Sequence, residues 1–339
     1  MTNDLLTIMQ ENLNLKQRQD LLKRIEVELS KRVSKKVSVI SYIFNTTNTF
    51  INLPMNLSHI SHIEDLVRVA KEDKSQSLAL IIESLGGEAN FPAELDERIR
   101  KYFDEFYIVG VNVLKSAATL LSLLSDKVIA IETASFGPVD PQLIYTSKEG
   151  QTTTIPARAV TNLIEKTLPV YVSKLPQTER VVILSSQNYI LYQQAKDAIN
   201  NVGRVVDRLA AKKKLTKKQL NVIKKKLIDD PLSHGNRIDP DELKGMGVSV
   251  EKLNVSDPLA ELLTEYHRRA IRNLMMEVPQ RESQGVILFE STKRSLQMAA
   301  HINVSQGPSL GGIPVPVQKG PVSIKPGNDS KDVQTDKNK

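Results

Sequence analysis

Leu78-Ala-Leu-Ile-Ile-Glu-Ser-Leu-Gly-Gly87, then Phe106-Tyr-Ile-Val-Gly-Val-Asn-Val113 and Ser116-Ala-Ala-Thr-Leu-Leu-Ser-Leu-Leu-Ser125, decide the fold. Leu78–Ser84 is a near-continuous apolar run, as in a strand covered on both faces. It ends at Gly86-Gly87, which marks a sharp turn. Ala93–Phe103 has a helical pattern, Phe106–Val113 is a second buried strand, Ser116–Ser125 a helix and Val128–Glu132 a third strand. Strands alternating with helices of this length predict an α/β protein with a mostly parallel sheet.

Outward from this centre, Val37–Phe44 is rich in β-branched and aromatic residues and reads as a strand, followed by a helix over His62–Lys74. Residues 4–31 carry Leu5, Ile8, Leu21, Leu22, Ile25 and Leu29 at mostly helical spacing, which predicts an amphipathic N-terminal helix. Gly137-Pro-Val-Asp-Pro141 must turn, because two prolines fix φ and block a helix. Helices are expected over Ala157–Thr167, Asn188–Ala211, Gln219–Ile228, Asp241–Met246 and Asp257–Met276, and strands over Gly285–Phe289 and Gln297–Val304. The last stretch is rich in Pro, Gly, Lys, Asp and Ser and predicts disorder. The expected organisation is an N-terminal helix over 1–35, a main domain over 36–255, a C-terminal helix with strands over 256–305 and a tail over 306–339.

The 339 residues include no Cys and no Trp, and 40% are hydrophobic. Disulfides, thiol nucleophiles and Cys-ligated metals are excluded. No secretory leader is visible, and no run approaches the roughly 18 apolar residues of a membrane span. A cytoplasmic protein is the expectation. Nothing predicts a cofactor or a metal: there is no phosphate-binding Gly-rich loop and no His/Asp cluster at ligand spacing. The net charge is +7. Much of the excess lies over 212–226, where Lys212, Lys213, Lys214, Lys217, Lys218, Lys224, Lys225 and Lys226 crowd together. A nucleic-acid or anionic-lipid patch is one reading. The favoured one is the solvated face of a helix above an apolar stripe of Leu215, Leu220, Ile223 and Leu227.

Ser116 stands where a buried strand hands over to a helix. First-turn amides point outward without internal partners, and with the helix dipole they favour an anion. A serine there can attack a carbonyl while the Ala117 amide receives the oxyanion. Gly86 and Gly87, ending the preceding strand, can supply further unobstructed amides at the same sheet edge, where ligands of α/β folds bind. A serine opening a helix is also commonly just an N-cap.

Four runs in this order, Leu80-Ile-Ile-Glu-Ser-Leu-Gly-Gly87, Ile108-Val-Gly-Val-Asn-Val-Leu-Lys-Ser-Ala-Ala-Thr119, Leu124-Ser-Asp-Lys-Val-Ile-Ala-Ile131 and Phe136-Gly-Pro-Val-Asp-Pro-Gln-Leu143, resemble the serine dehydrogenase proteinase family. That family is related to signal peptide peptidase A and the Clp protease catalytic subunit. Asp230-Pro-Leu-Ser-His-Gly and Ile238-Asp-Pro-Asp-Glu-Leu-Lys-Gly-Met-Gly247 resemble its late His-containing loop and the following helix. The resemblance implies a Clp/crotonase-like fold of stacked ββα units, self-association, and cleavage of a peptide or protein substrate. It matches Ser116 to the nucleophile and Gly86, Gly87 and Ala117 to the oxyanion region. Where the family has Pro-Gly-Gly this chain has Leu85-Gly-Gly. Its Ser-Ala-Ala replaces Ser-Ala-Gly or Ser-Gly-Gly, so Ala118 places one more methyl near the nucleophile.

A serine hydroxyl needs a base. Of the five histidines, His59 and His62 read as surface residues and His267 as part of a charged helix, which leaves His234 in the late loop. Lys166 is the rival, as in Ser–Lys peptidases, provided burial lowers its pKa. His234 is slightly preferred. Asp140, between two prolines, is an orienting candidate that can also cap its own turn. Two alternatives remain: a crotonase-like acyl-CoA enzyme using the same amides without a nucleophile, and a non-catalytic assembly protein.

Overall fold

The computed structural model describes residues 2–46, 53–146, 152–185, 189–229, 237–276, 284–301 and 323–326. A nine-stranded sheet organises them. Its parallel centre is β1 (Val37–Phe44), β2 (Ser77–Ser84), β3 (Glu105–Leu114), β4 (Lys127–Ile131) and the edge strand β8 (Val250–Leu253), with the two-residue β5 (Ser135–Phe136) beside the end of β3. On the other side β9 (Gln284–Ser291) runs antiparallel to β1, followed by β10 (Ser295–His301) and β11 (Ser323–Pro326). β6 (Gln142–Thr146) and β7 (Thr152–Pro156) form a separate hairpin. Apart from Ser323–Pro326, the stretch read as a tail lies outside the described residues.

Alternation within each strand explains the two faces. Ile40, Tyr42, Leu80, Ile82, Ile108 and Val128 point to one core, under α2 (Ile60–Glu72), α3 (Phe91–Arg100) and α4 (Ala117–Leu124), with α8 (Tyr189–Lys213) and α9 (Lys217–Lys224) completing the layer. Val39, Ile43, Ala79, Ile81, Val109 and Ile129 point to the other, under α1 (Thr2–Val33) and α11 (Pro258–Met276). Both faces being covered, the central strands carry the apolar runs seen in the sequence. Leu22, Ile25 and Leu29 of α1 are completely buried, each worth about 1.5–3 kcal/mol.

One polar device crosses that second core. Arg18 of α1 is 2% exposed and its Nε lies 3.1–3.2 Å from both carboxylate oxygens of Glu290. Its Nη1 donates to Asn273 Oδ1 at 2.8 Å, and the Tyr266 hydroxyl donates to Glu290 at 2.9 Å. The network joins α1, α11 and β9. Burial, and then the Glu290 charge, push the Tyr266 phenol well up.

After β7 come α5 (Ala157–Asn162), a π-helical turn (Leu163–Thr167), α6 (Leu168–Val172) and α7 (Gln177–Ser185). This helical segment packs on α8 through a small core of Ala157, Val160 and Ala195. Val170 and Tyr171 of α6, Val181 and Val182 of α7, and Ile190 at the start of α8 stay exposed. α9 runs on into a second π-helical turn (Lys225–Asp229), and α10 (Pro240–Gly245) precedes β8.

The basic stretch over 212–226 packs as the sequence suggests, with Ile223 and Leu227 buried and Leu215 and Leu220 against the core. Several of its charges are paired: Lys212 with Asp96, Lys213 with Asp126, Lys224 with Asp207 at 2.7 Å, and Lys226 with Glu242 at 3.7 Å.

Candidate active site

β2 and β3 end side by side at the carboxyl edge of the sheet. Ser84 closes β2, is fully buried, and binds in both directions. Its carbonyl accepts the Lys115 N–H at 2.9 Å, and its hydroxyl accepts the Gly86 N–H at 3.0 Å. The turn after β2 is thereby held against the turn after β3.

Ser116 holds the N-cap position of α4 but does not cap it with its side chain. Its backbone sits at φ 51°, ψ −115°, and its side chain makes no capping hydrogen bond. A capping residue has extended backbone and gives its oxygen to the helix. A non-glycine residue at positive φ is strained by about 1–3 kcal/mol and persists only where its surroundings impose it. Here they do: Lys115 N–H is fixed to Ser84, Leu120 N–H donates to the Ser116 carbonyl at 3.0 Å, and Thr119 ties the first turn of α4 to Gly137. Ser116 is only partly buried, unlike the residues of α4 that follow it.

Gly86 faces it at φ 110°, and a Cβ there would lie 2.6 Å from Ser116 Cβ and 3.2 Å from its Oγ. Gly87 is wedged on the other side, since a Cβ there would meet Met55 O at 2.2 Å. Met55 clamps this turn: its N–H donates to Gly86 O at 2.8 Å and its carbonyl accepts the Glu88 N–H at 2.9 Å. Among the described residues, neither the Gly87 nor the Ala117 amide donates a hydrogen bond, whereas the Gly86 amide is turned inward to Ser84.

The other residues singled out from sequence are placed as follows. Ala118 is fully buried and belongs to the core beneath α4. Asp140 is buried in the Gly-Pro-Val-Asp-Pro turn and accepts the Gln142 side-chain amide at 3.0 Å. Lys166 is exposed on the first π-helical turn, without the burial that a lysine base needs. His234 lies outside the described residues.

His59 corrects the surface reading. It is 7% exposed, among Tyr42, Phe44 and Phe289, on the turn that follows Met55. Its Nδ1 lies 2.6 Å from the Tyr42 hydroxyl and 3.3 Å from the Asn56 N–H, so Nδ1 is the acceptor nitrogen. Burial, with His62 nearby, pushes its pKa down to about 4. Sequence reasoning also missed Ser84, Met55, Glu83 and His267. The signal for two of them was visible: Glu83-Ser84 is a polar pair ending an otherwise apolar strand.

An α/β sheet edge that holds a strained, uncapped serine beside a glycine turn and two unengaged amides has the form of a nucleophilic hydrolase site. The chain belongs to the ClpP-like SDH-type serine proteinase family, which it matches over residues 5–284. Protein MJ0137 of Methanocaldococcus jannaschii is 28% identical over 206 residues, covering 61% of this chain and 63% of that one. The chain thus spans just under two thirds of the length of that relative. Protein MJ1495 of the same organism is 27% identical over 222 residues, 64% of this chain and 67% of that one. Among solved structures, a variant of the 1510-N membrane-bound stomatin-specific protease matches 63% of this chain and 79% of its own, at 14% identity and TM-score 0.39. A variant of ClpP1 from Listeria monocytogenes matches 68% of this chain and 99% of its own, at 13% identity and TM-score 0.35. No described helix is long and apolar enough to cross a membrane. Among the described residues no group of three or more His, Asp or Glu could hold a metal.

Proposed function

We propose that this chain is a peptidase that cleaves peptide bonds through an acyl-enzyme on Ser116. The observation that carries the reading is the strained Ser116 backbone at φ 51°, ψ −115°, combined with a hydroxyl that makes no capping hydrogen bond to α4. The Ser116 hydroxyl attacks the substrate carbonyl carbon and gives its proton to a base. The Gly87 and Ala117 amides stabilise the oxyanion. Collapse of the tetrahedral adduct releases the amine, which takes that proton, and water then hydrolyses the ester. Gly86 acts through conformation, since its own amide is occupied by Ser84. His234 is the base in this reading and Lys166 the alternative. Asp140 orients the Pro-rich turn, which Val139 N–H pins to Leu227 O at 2.8 Å.

The substrate is an extended peptide segment, in keeping with the proteinase family, and the protein acts as a cytoplasmic homo-oligomer. The exposed Val170, Tyr171, Val181, Val182 and Ile190, on the successive helices α6, α7 and α8, support self-association, because exposed apolar groups favour burial against another surface.

The test is labelling by a fluorophosphonate, read by peptide mass spectrometry. Wild type is expected to label on Ser116, and Ser116→Ala to lose the label. His234→Ala and Lys166→Ala then identify the base by which one slows labelling. Folded wild type that takes no label would favour a crotonase-like or assembly role.

A further inference from the structure

The carboxylate of Glu83 is 1% exposed at the end of a strand that is otherwise apolar. A charge is buried at such a place only with partners that replace water. Glu83 has three, each from a different element. Asn112 Nδ2 of β3 donates to Oε1 at 2.9 Å. The Thr46 hydroxyl, just past β1, donates to the same oxygen. His267 Nε2, from α11, meets Oε2.

The position of Asn112 gives this cluster its meaning. The β2–β3 register runs evenly as far as Ile82 opposite Gly110, and resumes with Ser84 opposite Leu114. One residue of β2, Glu83, therefore faces three of β3, Val111, Asn112 and Val113. Such bulges bend a strand and re-aim the residues beyond them, and they gather beside active sites. Beyond this bulge the chain runs through Leu114 and Lys115 to the strained Ser116. Glu83 also directly precedes Ser84, which holds both the Gly86 and the Lys115 amides.

We infer that Glu83 is a positioning residue for the nucleophile: held by Thr46 and His267, its carboxylate fixes the β3 bulge through Asn112 and so sets the placement of Ser116 against Gly86. The inference rests on the peptidase reading of Ser116 for its catalytic consequence. The fixing of the bulge can be read without it.

The pair can be broken and remade. Asn112→Asp sets two carboxylates against each other. Glu83→Gln together with Asn112→Asp restores one donor and one acceptor with their places exchanged and the total charge of wild type unchanged. Three quantities are measured on the full chain: the rate of Ser116 labelling by a fluorophosphonate, amide hydrogen exchange of the peptide covering 110–118, and the melting temperature as a check of folding. Asn112→Asp is expected to slow labelling by about a hundredfold, the scale of a misplaced reacting group, and to speed exchange across 110–118. The exchanged pair is expected to recover most of both. Labelling and exchange at wild-type values in Asn112→Asp overturn the inference. So does an exchanged pair as impaired as the single variant, since the loss then owes nothing to the Glu83–Asn112 bond. If wild type itself takes no label, the peptidase reading fails and exchange alone decides: faster in Asn112→Asp and restored in the exchanged pair upholds the fixing of the bulge, and unchanged exchange overturns it. Should Asn112→Asp not fold, Asn112→Ala, which removes the donor without adding charge, is read against the same expectations.

Discussion

Gly86 and Ser116 approach so closely that a methyl on Gly86 would lie 2.6 Å from Ser116 Cβ and 3.0 Å from the Lys115 carbonyl oxygen. Gly86 also stands at φ 110°, outside the range of ordinary L-residues. Gly86→Ala therefore pushes the two turns apart and strains its own backbone. The expected result is a stability loss of about 1–3 kcal/mol in urea denaturation. Fluorophosphonate labelling should fall by about a hundredfold or more. Labelling at the wild-type rate would mean that the packing of these two turns is irrelevant to reactivity.

Ser116 stands at φ 51°, ψ −115°, away even from the left-handed helical region, and so bears backbone strain. Ser116→Gly should relieve it and raise stability by about 1 kcal/mol, because the relief exceeds the entropy that glycine loses on folding. Ser116→Ala keeps the Cβ and should leave stability near that of wild type. Neither variant should label. A Ser116→Gly protein less stable than Ser116→Ala would show that the serine is structurally at ease, against the reading of a held nucleophile.

How far the fold and site were legible from sequence varies by element. β1, β2 and β3 are apolar on both faces, and their runs stand out with no knowledge of their partners. β6 and β7 did not, because Gln142–Thr146 and Thr152–Pro156 mix polar and Thr residues in a separate hairpin. β8 is four residues, Val-Glu-Lys-Leu, too short for a pattern. At the site, the order of strand, Gly-Gly, strand and Ser located Ser116, but nothing local announces its φ. That angle depends on the Ser84–Lys115 bond and the β3 bulge, which arise only when the strands pair. His59 misled for the same reason: its neighbours Asn56 and Ser58 are polar, while the rings that bury it include Tyr42, from β1, and Phe289, from β9.

Two groups should shape the acid response, with opposite signs. His59 has its pKa lowered from 6.5 to about 4 by burial, so its neutral form is the folded one. Its contribution is complete above pH 6.5 and is lost as pH falls towards 4, on the order of 3 kcal/mol. Glu26 has its carboxyl raised from 4.5 to about 7, chiefly by burial, although Val39 N–H donates to it at 2.9 Å. Its contribution is complete below pH 4.5 and is lost as pH rises through 7. Between pH 7 and 4.5 the two largely cancel in wild type. Glu26→Gln keeps an acceptor for Val39 and removes the titration. It should be more stable than wild type at pH 8 and should show the full acid loss of His59 between pH 6.5 and 4. Urea midpoints across this range measure it. A Glu26→Gln profile parallel to that of wild type would remove Glu26 from the account. Since His59 sits on the turn behind Met55, the clamp on Gly86–Glu88 should loosen over the same acid range.

The Arg18–Glu290 pair offers the sharpest test of how the N-terminal helix is attached. Both side chains are essentially buried, and the Glu290 carboxylate also takes the Tyr266 hydroxyl. Removing one charge leaves the other without its partner away from water, at a cost of about 3–5 kcal/mol. Arg18→Met should show that loss, and near-ultraviolet spectra should report altered packing around Tyr266. Replacing both, Arg18→Met with Glu290→Met, exchanges the ion pair for apolar packing and should recover much of the stability, since buried pairs are often neutral against well-packed hydrophobic residues. Hydrogen exchange of the peptide covering 15–30 distinguishes detachment of α1 from global loss: it should rise in Arg18→Met well before exchange in β2 does. If the single variant is as stable as wild type, the pair does not anchor α1, and the apolar contacts of Leu22, Ile25 and Leu29 hold the helix alone.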